Sequence, residues 1–464
     1  MRTMKLLFIW VCIFTSISLA SARTFYVDAF AAGVRNGTSW EDAWISMDAI
    51  SGLSPGDVVY ISGGASGSSL TYRVNSLGTN YPGIFVPKSG TPGNRITYQI
   101  GQDAAHNGTA IFSGYGIWYW LSGNGSPHDI VISGDAGDKK MHFAITNYPV
   151  MGDGSTFTNV RIAYINCGVL RGGMNFNPAS GLEFDHNYMY IVATNLDAVS
   201  LGSFAGTNWG NSSMHHCTIF VPNNAGSGPD ILDWVGSGFD IYDNVFIGYS
   251  ANYNSGFHMD GWQGQGGRFI RVYNNYMANI GNYAIYGDST MSGGFTNLWI
   301  YNNVLVNNGG GIVVGVDPWS PPTSRFDNVI IANNLVDSGN VSSGQNFAFG
   351  NITTHAAYFT NSLLANNINI GGQAFYLPGN SNTPLLRNAN FTPSQASNSF
   401  VYYNAGSTNS RFHLRANAST LIDKGTNLNS FFKTDKDGVT RSSAGPWDIG
   451  AHRYLRLRVV QPGE

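Results

Sequence analysis

Eight short apolar segments of this chain each run into one recurring position, and six of them place asparagine there. They read Phe184-Asp185-His186-Asn187, Ile241-Tyr242-Asp243-Asn244, Val272-Tyr273-Asn274-Asn275, Ile300-Tyr301-Asn302-Asn303, Ile331-Ala332-Asn333-Asn334 and Leu364-Ala365-Asn366-Asn367. Met214-His215-His216-Cys217 and Ile162-Ala163-Tyr164-Ile165 fill the same slot with Cys and Ile. The slot falls at residues 165, 187, 217, 244, 275, 303, 334 and 367, in steps of 22 to 33 residues. A period in that range marks a solenoid. The units contain short β-like runs separated by Gly, Asn and Ser, without a sustained 3.6-residue apolar pattern, which argues against helical repeats. The spacing is short of the roughly 40–45 residues of a propeller blade, and leucine does not hold the fixed slots of a leucine-rich repeat. What remains is a coil of parallel strands, each turn stacked on the last.

In such a coil an asparagine repeated once per turn can hydrogen-bond its copies above and below through its amide. Asn187, Asn244, Asn275, Asn303, Asn334 and Asn367 are therefore read as structural, and Cys217 as a small buried residue in the same slot. Cys167 lies about two rungs from Cys217, too far at about 4.8 Å per rung for easy bridging, so no disulfide is expected. Charged residues make up only 11% of the chain, against roughly 25% in an ordinary soluble domain. Ladder Asn, turn Gly and inward strand positions need no charge.

The first residues read as a secretory signal. Met1, Arg2 and Lys5 form a basic start, Leu6 to Phe14 an apolar run, and Ala20-Ser21-Ala22 a small-x-small cleavage site. The mature chain is expected to begin at Arg23 and to be secreted, extracellular or periplasmic, with no membrane insertion. It would carry a net charge of −5 once Arg2 and Lys5 are removed, which disfavours nucleic acid as a partner. A monomer is expected. The sequons at Asn36, Asn107, Asn211, Asn340, Asn351, Asn390 and Asn417 matter only in a host that glycosylates.

Three blocks resemble the secreted right-handed parallel β-helix proteins of the pectate-lyase-like superfamily. The first joins Thr24-Phe25-Tyr26-Val27-Asp28, Gly37-Thr38-Ser39-Trp40, Ala43-Trp44 and Pro55-Gly56-Asp57-Val58-Val59-Tyr60. The middle block holds Gly90-Thr91-Pro92-Gly93-Asn94-Arg95-Ile96-Thr97 and the Asn-ending repeats. The last holds Leu421-Ile422-Asp423-Lys424-Gly425, Asp435-Lys436-Asp437-Gly438 and Asp448-Ile449-Gly450-Ala451. The resemblance implies an all-β, single-stranded right-handed parallel β-helix and leaves the reaction open, because that superfamily hosts lyases, hydrolases, epimerases and proteins without known activity. On this reading residues 23–130 form an N-terminal cap and first rungs, 131–423 the central rungs and 424–464 a C-terminal closure. Thr38-Ser39-Trp40-Glu41 reads as a capping box opening a short helix over 39–50, with Trp40, Ala43, Trp44, Met47 and Ile50 on its apolar face.

For chemistry, the chain has no Gly-x-Ser-x-Gly elbow, His-Glu-x-x-His, phosphate loop or Cys-x-x-Cys pair. No lysine occurs between residues 141 and 423, so a lyase base on the central rungs would have to be Arg, His or Tyr. Asp197, Asp233 and Asp260 open successive strands 10, 16 and 16 residues after their slots. If the extra residues lie in loops, they form an acidic column at about 5 Å per step, suited to acid/base or nucleophilic work on a glycoside, or to calcium. The bland alternative is that each Asp bonds nearby backbone at a strand entry. Trp209, Trp234 and Trp262 lie close in sequence and are read as sugar platforms, with a place in the core as the alternative. His258-Met259-Asp260-Gly261-Trp262-Gln263 resembles a His-x-Asp-Gly-x-Gln segment of carbohydrate-related members of the superfamily. That resemblance makes His258 an acid, a base or an orienting group, and Gln263 a substrate contact. Arg268 and Arg271 would bind a carboxylated sugar or serve as a lyase base. The expected function is cleavage of a polysaccharide, hydrolysis slightly favoured over β-elimination. The rival is a non-enzymatic extracellular glycan-binding or surface protein. No cofactor is required by the sequence, and calcium is compatible with it.

Overall fold

A computed structural model describes residues 21–455 except 73–87, 114–126, 147–150, 171–173, 192–198, 202–207, 223–229, 250–258, 290–292, 317–323, 339–346, 352–357, 372–374 and 376–384. The expected signal segment therefore lies outside the described residues. The chain winds as a right-handed parallel β-helix. Strands one turn apart pair in parallel with nearly constant register, as in Ser237–Tyr242, Gly267–Tyr273 and Gly294–Tyr301. The strands that end at the slot form one long sheet, and those that follow it form a 12-stranded sheet from Ser69–Tyr72 to Ala389–Phe391. A third stack, represented by Leu232–Val235, Trp262–Gly264, Tyr283–Gly287 and Gly310–Val316, joins the first through the long strand Met174–Asp185.

Alternation along the strand explains the core. Three residues before the slot stand Ile162, Phe184, Met214, Ile241, Val272, Ile300, Ile331 and Leu364, all buried and stacked on one another across the rungs. Each such side chain removed from water is worth about 1.5–3 kcal/mol. The slot itself is a hydrogen-bonded ladder. Asn275 Oδ1 accepts from Asn244 N and Nδ2, both at 3.1 Å. Asn303 does the same for Asn275, Asn334 for Asn303 and Asn367 for Asn334. Asn388 extends the series by one rung. Asn187 and Asn244 serve Ile165 N and Cys217 N, so the two non-Asn rungs still receive the cap from the next. Cys167 and Cys217 are buried free thiols.

The residue just before the slot takes a left-handed backbone in every rung, with φ of 57° at Tyr164, 54° at His186 and His216, and 59° at Asn274. Asn and His are enriched in that region among residues with a side chain; Tyr is not. The ladder bonds on either side hold the turn and override the local preference. The consequence is functional, since it swings His186 and His216 onto the outer edge of the sheet.

The helix expected over 39–50 is a correction. Only a 3-10 turn, Met47–Ala49, forms there. Trp44 N donates to Tyr26 O and Asp28 N to Trp44 O, so the backbone groups a helix would need are paired with the first strand. Ala43, Trp44, Met47 and Ile50 are nonetheless buried, while Trp40 stacks on His106 at 3.8 Å. The one α-helix among the described residues, Pro393–Ser399, carries a Thr392/Gln395 capping box at the other end. After the hairpin Phe400–Tyr402/Arg411–Leu414, the chain folds back along the ladder turns. Asn302 Nδ2 donates to Thr434 O, and Asn333 Nδ2 to Asp448 O and Gly450 O. Phe432 and Trp447 cover Tyr301, Ala332 and Ala365. The long sheet is thus capped by this segment from Tyr273 onward and, among the described residues, left open over the rungs before it. Among the described residues no helix is long and apolar enough to cross a membrane.

Candidate active site

The open part of the long sheet carries three outward columns, set by their distance from the slot. Four residues before it stand Arg161, Glu183, Ser213, Asp240 and Arg271, in register on successive rungs. Two before it stand Asp185, His215, Tyr242, Tyr273 and Tyr301. One before it stand the left-handed residues Tyr164, His186, His216 and Asp243. Rings repeat at the rung spacing: His215 stacks on Tyr242 at 4.6 Å, Tyr242 on Tyr273 at 4.9 Å and Tyr273 on Tyr301 at 4.8 Å.

Charge is arranged in pairs. Arg161 clamps Asp185 with Nε–Oδ1 at 2.9 Å and Nη2–Oδ2 at 2.7 Å, and His186 Nδ1 lies 2.8 Å from the same Oδ2. Burial alone would raise the Asp185 pKa, but the Arg161 and His186 hydrogen bonds outweigh it and hold the carboxyl below its usual range. Arg271 forms a similar fork on Asp240, with Nε–Oδ1 at 2.7 Å. Glu183 stays half-exposed, its Oε1 3.6 Å from His215 Nε2, and the imidazole keeps it low. His215 Nδ1 and His216 Nδ1 are 3.0 Å apart, so one must donate to the other. With Glu183 facing His215 Nε2, the neutral ring carries its proton there and accepts at Nδ1 from His216 Nδ1–H. His216 Nε2 then holds a free lone pair on a side chain 47% exposed, 4.0 Å from Asp243 Oδ2. Burial lowers the His216 pKa, with Asp243 opposing it, so the imidazole is a neutral base at pH 7.

Beside these columns runs an open groove of about 610 Å³, lined by Arg95, Asn159, Gly181, Glu183, Asn211 and Ser213. Its floor stays low because Gly181 has φ of 65° and an added Cβ would come 3.2 Å from Asn159 Cα. From Arg95 to Arg271 is six rungs, about 29 Å.

The acidic column expected from sequence does not assemble from its described members. Register pairs Asp233 with Gln263, not with Asp260. Asp260 lies three positions earlier, where its N–H donates to Asp230 Oδ1 at 2.7 Å and its Oδ1 accepts Tyr283 N at 2.8 Å. Both carboxylates are buried. The Asp230–Asp260 steps are the backbone-capping role that aspartate takes at strand entries. Trp262 is likewise corrected from sugar platform to core, fully buried and 6.4 Å from the Phe295 ring. Gln263 faces outward but is covered and donates to Asp288 Oδ2. Arg268 is exposed on the strand Gly267–Tyr273, its N–H bonded to Ser237 Oγ. Arg271 alone joins the ionisable columns. Asp197 and His258 lie outside the described residues, as do the side chains of Trp209 and Trp234.

Two groups in this strip bring metal-ligating atoms within 4.8 Å of one another: His186/His215/His216 and Glu183/Asp185/His215. The His186 and His216 rings lie parallel, 4.7 Å apart. Their in-plane lone pairs therefore do not converge, and the set is better suited to proton transfer. Sequence reasoning passed over Arg161, Glu183, Asp185 and Asp240, although each stands at a constant offset from the ladder slot. Lys436 was hidden for a different reason. It arrives from the C-terminal segment to bond Asn274 O, so a lysine does reach the central rungs. Burial pulls its pKa down to about 8 against the opposing pull of Asp243 and Asp437.

Fold and columns together define a parallel β-helix with an ionisable strip on one outer sheet. No protein-family model and no curated protein matches the chain. Among solved structures it is similar to the pectate lyase Pel9A, at 15% identity over 94% of this chain and 98% of that one, with a TM-score of 0.47. It is similar to the PL6 family alginate lyase AlyGC at 14% identity, over 75% of this chain and 50% of that one, with a TM-score of 0.42. The GH136 lacto-N-biosidase from Eubacterium ramulus shows 12% identity over 80% and 68% of the two chains, with a TM-score of 0.37. These likenesses are of fold.

Proposed function

We propose that this protein is a secreted, carbohydrate-active enzyme that cleaves a polysaccharide lying along the open sheet, and that β-elimination on a uronate-containing chain is its reaction. The observation that carries the reading is the Glu183–His215–His216 series, which starts with Glu183 at the groove wall and ends in an exposed, neutral His216 Nε2 on the outer edge of the sheet. Elimination needs a base for the proton next to a carboxylate and cations to hold that carboxylate. His216 supplies the first. Arg95, at the groove wall and hydrogen-bonded to Asn159 Oδ1, lies four rungs or about 19 Å from the His216 rung, so it would hold the carboxylate of another sugar further along the same chain. His216 Nε2 takes the C5 proton, the C4=C5 double bond forms as the C4–O bond breaks, and the leaving oxygen takes a proton from water, giving an unsaturated sugar at one new end and a hydroxyl at the other. Hydrolysis would require two carboxyl groups across the bond. In this strip Asp185 and Asp240 are each forked by an arginine and Glu183 Oε2 lies 3.6 Å from Arg161 Nε, which leaves Asp243, beside His216, as the acid without an arginine among the described residues. The net charge of −5 after signal removal offers no long-range pull on a polyuronate, so binding would rest on this local strip. Calcium, if it takes part, would need hard oxygen donors.

A panel of acidic and neutral polysaccharides, followed by reducing ends and by ultraviolet absorbance of unsaturated uronates, tests the proposal. Both signals together are expected on a polyuronate. Reducing ends without absorbance would replace elimination by hydrolysis. Binding without either signal on a broad panel would favour a glycan-binding protein.

A further inference from the structure

The Asp435-Lys436-Asp437-Gly438 and Asp448-Ile449-Gly450-Ala451 segments take no part in the site above, yet they bring three metal-ligating side chains together. His413 comes from the hairpin strand Arg411–Leu414, Asp437 from the turn after it and His452 from the end of the terminal segment. Their ligand atoms lie within 4.8 Å of one another. His413 Nε2 is 2.8 Å from Asp437 Oδ2, and His452 Nδ1 is 3.1 Å from the same oxygen.

We infer that His413, Asp437 and His452 form a binding site for a divalent transition-metal ion of the zinc class, which cross-links the hairpin to the terminal segment. Ligands about 2.0–2.1 Å from a tetrahedral zinc stand about 3.3 Å apart, so the 3.1 Å pair is close to that spacing and the 2.8 Å pair would open by about 0.5 Å. The His413 and His452 rings lie 4.3 Å apart but are tilted by 34°, unlike the parallel His186 and His216 rings. Two imidazoles and one carboxylate suit zinc and its borderline neighbours, whereas calcium and magnesium prefer oxygen donors alone. His452 is buried while His413 and Asp437 are about half exposed, which leaves one side open for a water as the fourth ligand.

The ligands are also held by their neighbours. Asp435 Oδ1 accepts the Asp437 and Val439 N–H groups, and its Oδ2 accepts Arg453 N, next to His452. Lys436, the one cation between the two aspartates, turns its ammonium away to Asn274 O. The ligands come from segments 24 and 15 residues apart. An ion shared by them therefore adds a cross-link between segments that otherwise rely on hydrogen bonds and on the buried cluster holding Phe412, Leu414, Ile449 and Ala451. The site does not depend on the proposed reaction.

The test is zinc titration of the full chain, stripped with EDTA and dialysed, by calorimetry at pH 7.5 with zinc chloride as the probe. One saturable ion per chain is expected, with a rise in melting temperature on loading. His413→Ala, at an exposed position, should melt like the metal-free protein and bind zinc at least about tenfold more weakly. Asp437→Asn keeps the shape and should also lose affinity, which guards against misfolding of the first variant. A double His186→Ala, His216→Ala variant should bind as the parent does. Failure of the stripped protein to take up zinc overturns the inference. So does uptake that survives both ligand variants, or uptake lost in the His186/His216 variant instead.

Discussion

Replacing Asn303 by alanine isolates one rung of the amide ladder. Its Oδ1 accepts Asn275 N and Nδ2, both at 3.0 Å, and its Nδ2 donates to Val272 O and Asn334 Oδ1, both at 2.9 Å. Alanine removes all four bonds. Asn275 Nδ2 keeps Ile241 O, and Asn334 Oδ1 keeps Asn303 N. Asn275 N–H keeps nothing from this site, in a fully buried position that water does not reach. An orphaned buried donor costs about 1–3 kcal/mol and each lost bond about 0.5–1.5 kcal/mol net, so the change should cost about 3–5 kcal/mol. Asn388 is the internal control. It makes the same contacts to Asn367 and Leu364 but is only partly buried, so water can replace it and Asn388→Ala should cost about 1 kcal/mol. Asn303→Asp should be worse than alanine, since it places a charge against Asn334 Oδ1 in a dry interior. Urea denaturation followed by tryptophan fluorescence reads the midpoint shift at constant slope. Because solenoid stability is close to a sum over neighbouring turns, amide exchange at Asn275 gives a local readout. About 4 kcal/mol there is nearly a thousandfold acceleration. An Asn303→Ala cost under about 1 kcal/mol, or one equal to that of Asn388→Ala, would refute the assignment of the ladder as a main source of cohesion.

Other expectations concern the strip. His216→Gln should lower kcat/KM on the active polysaccharide by about 10²–10⁴ while leaving the melting temperature in place, since the ring is half exposed. An unchanged rate removes His216 as base. Because the His216 pKa is lowered by burial and the neutral ring is the active form, kcat/KM should rise with pH through a value below the ordinary histidine range and stay flat above it. A pH profile that places the acid limb at or above that range contradicts this. Asp185 has a folded pKa below its unfolded one, so its stabilisation is present above the unfolded value of about 3.9 and disappears as pH falls through the folded value. Melting curves taken from pH 5 downward should show that loss in the parent and a flatter dependence in Asp185→Asn. Calcium added to chelated enzyme should leave the rate unchanged, and a calcium-restored rate would bring back an oxygen-ligand site.

The residues that were legible and those that were not differ in what separates them from the ladder. Ile162, Phe184 and Met214, and equally Arg161, Glu183 and Asp240, sit at offsets that no loop interrupts, so the core column and the ionisable column can both be read by counting back from the slot. Asp233 and Asp260 sit on the far side of connections of different length. Counting forward from the slot aligned them, yet the strand pairing displaced them by three positions. Trp262 shows the same limit: alternation assigns it a face only once the register of Trp262–Gly264 is known.

By itself the chain determined a coil of parallel strands, because an amide that must bond its own copy one turn away is a constraint that repeats with the sequence. Tertiary structure decided which face is open. The terminal segment lies over Tyr301, Ala332 and Ala365 and brings Lys436 to Asn274, 162 residues away. Contacts of that kind join positions with no shared period, and they form only when burial of Phe432 and Trp447 draws the closure onto the sheet. The physical reason is that repetition encodes neighbours along the coil axis, whereas a cap is held by a single, non-repeating surface match.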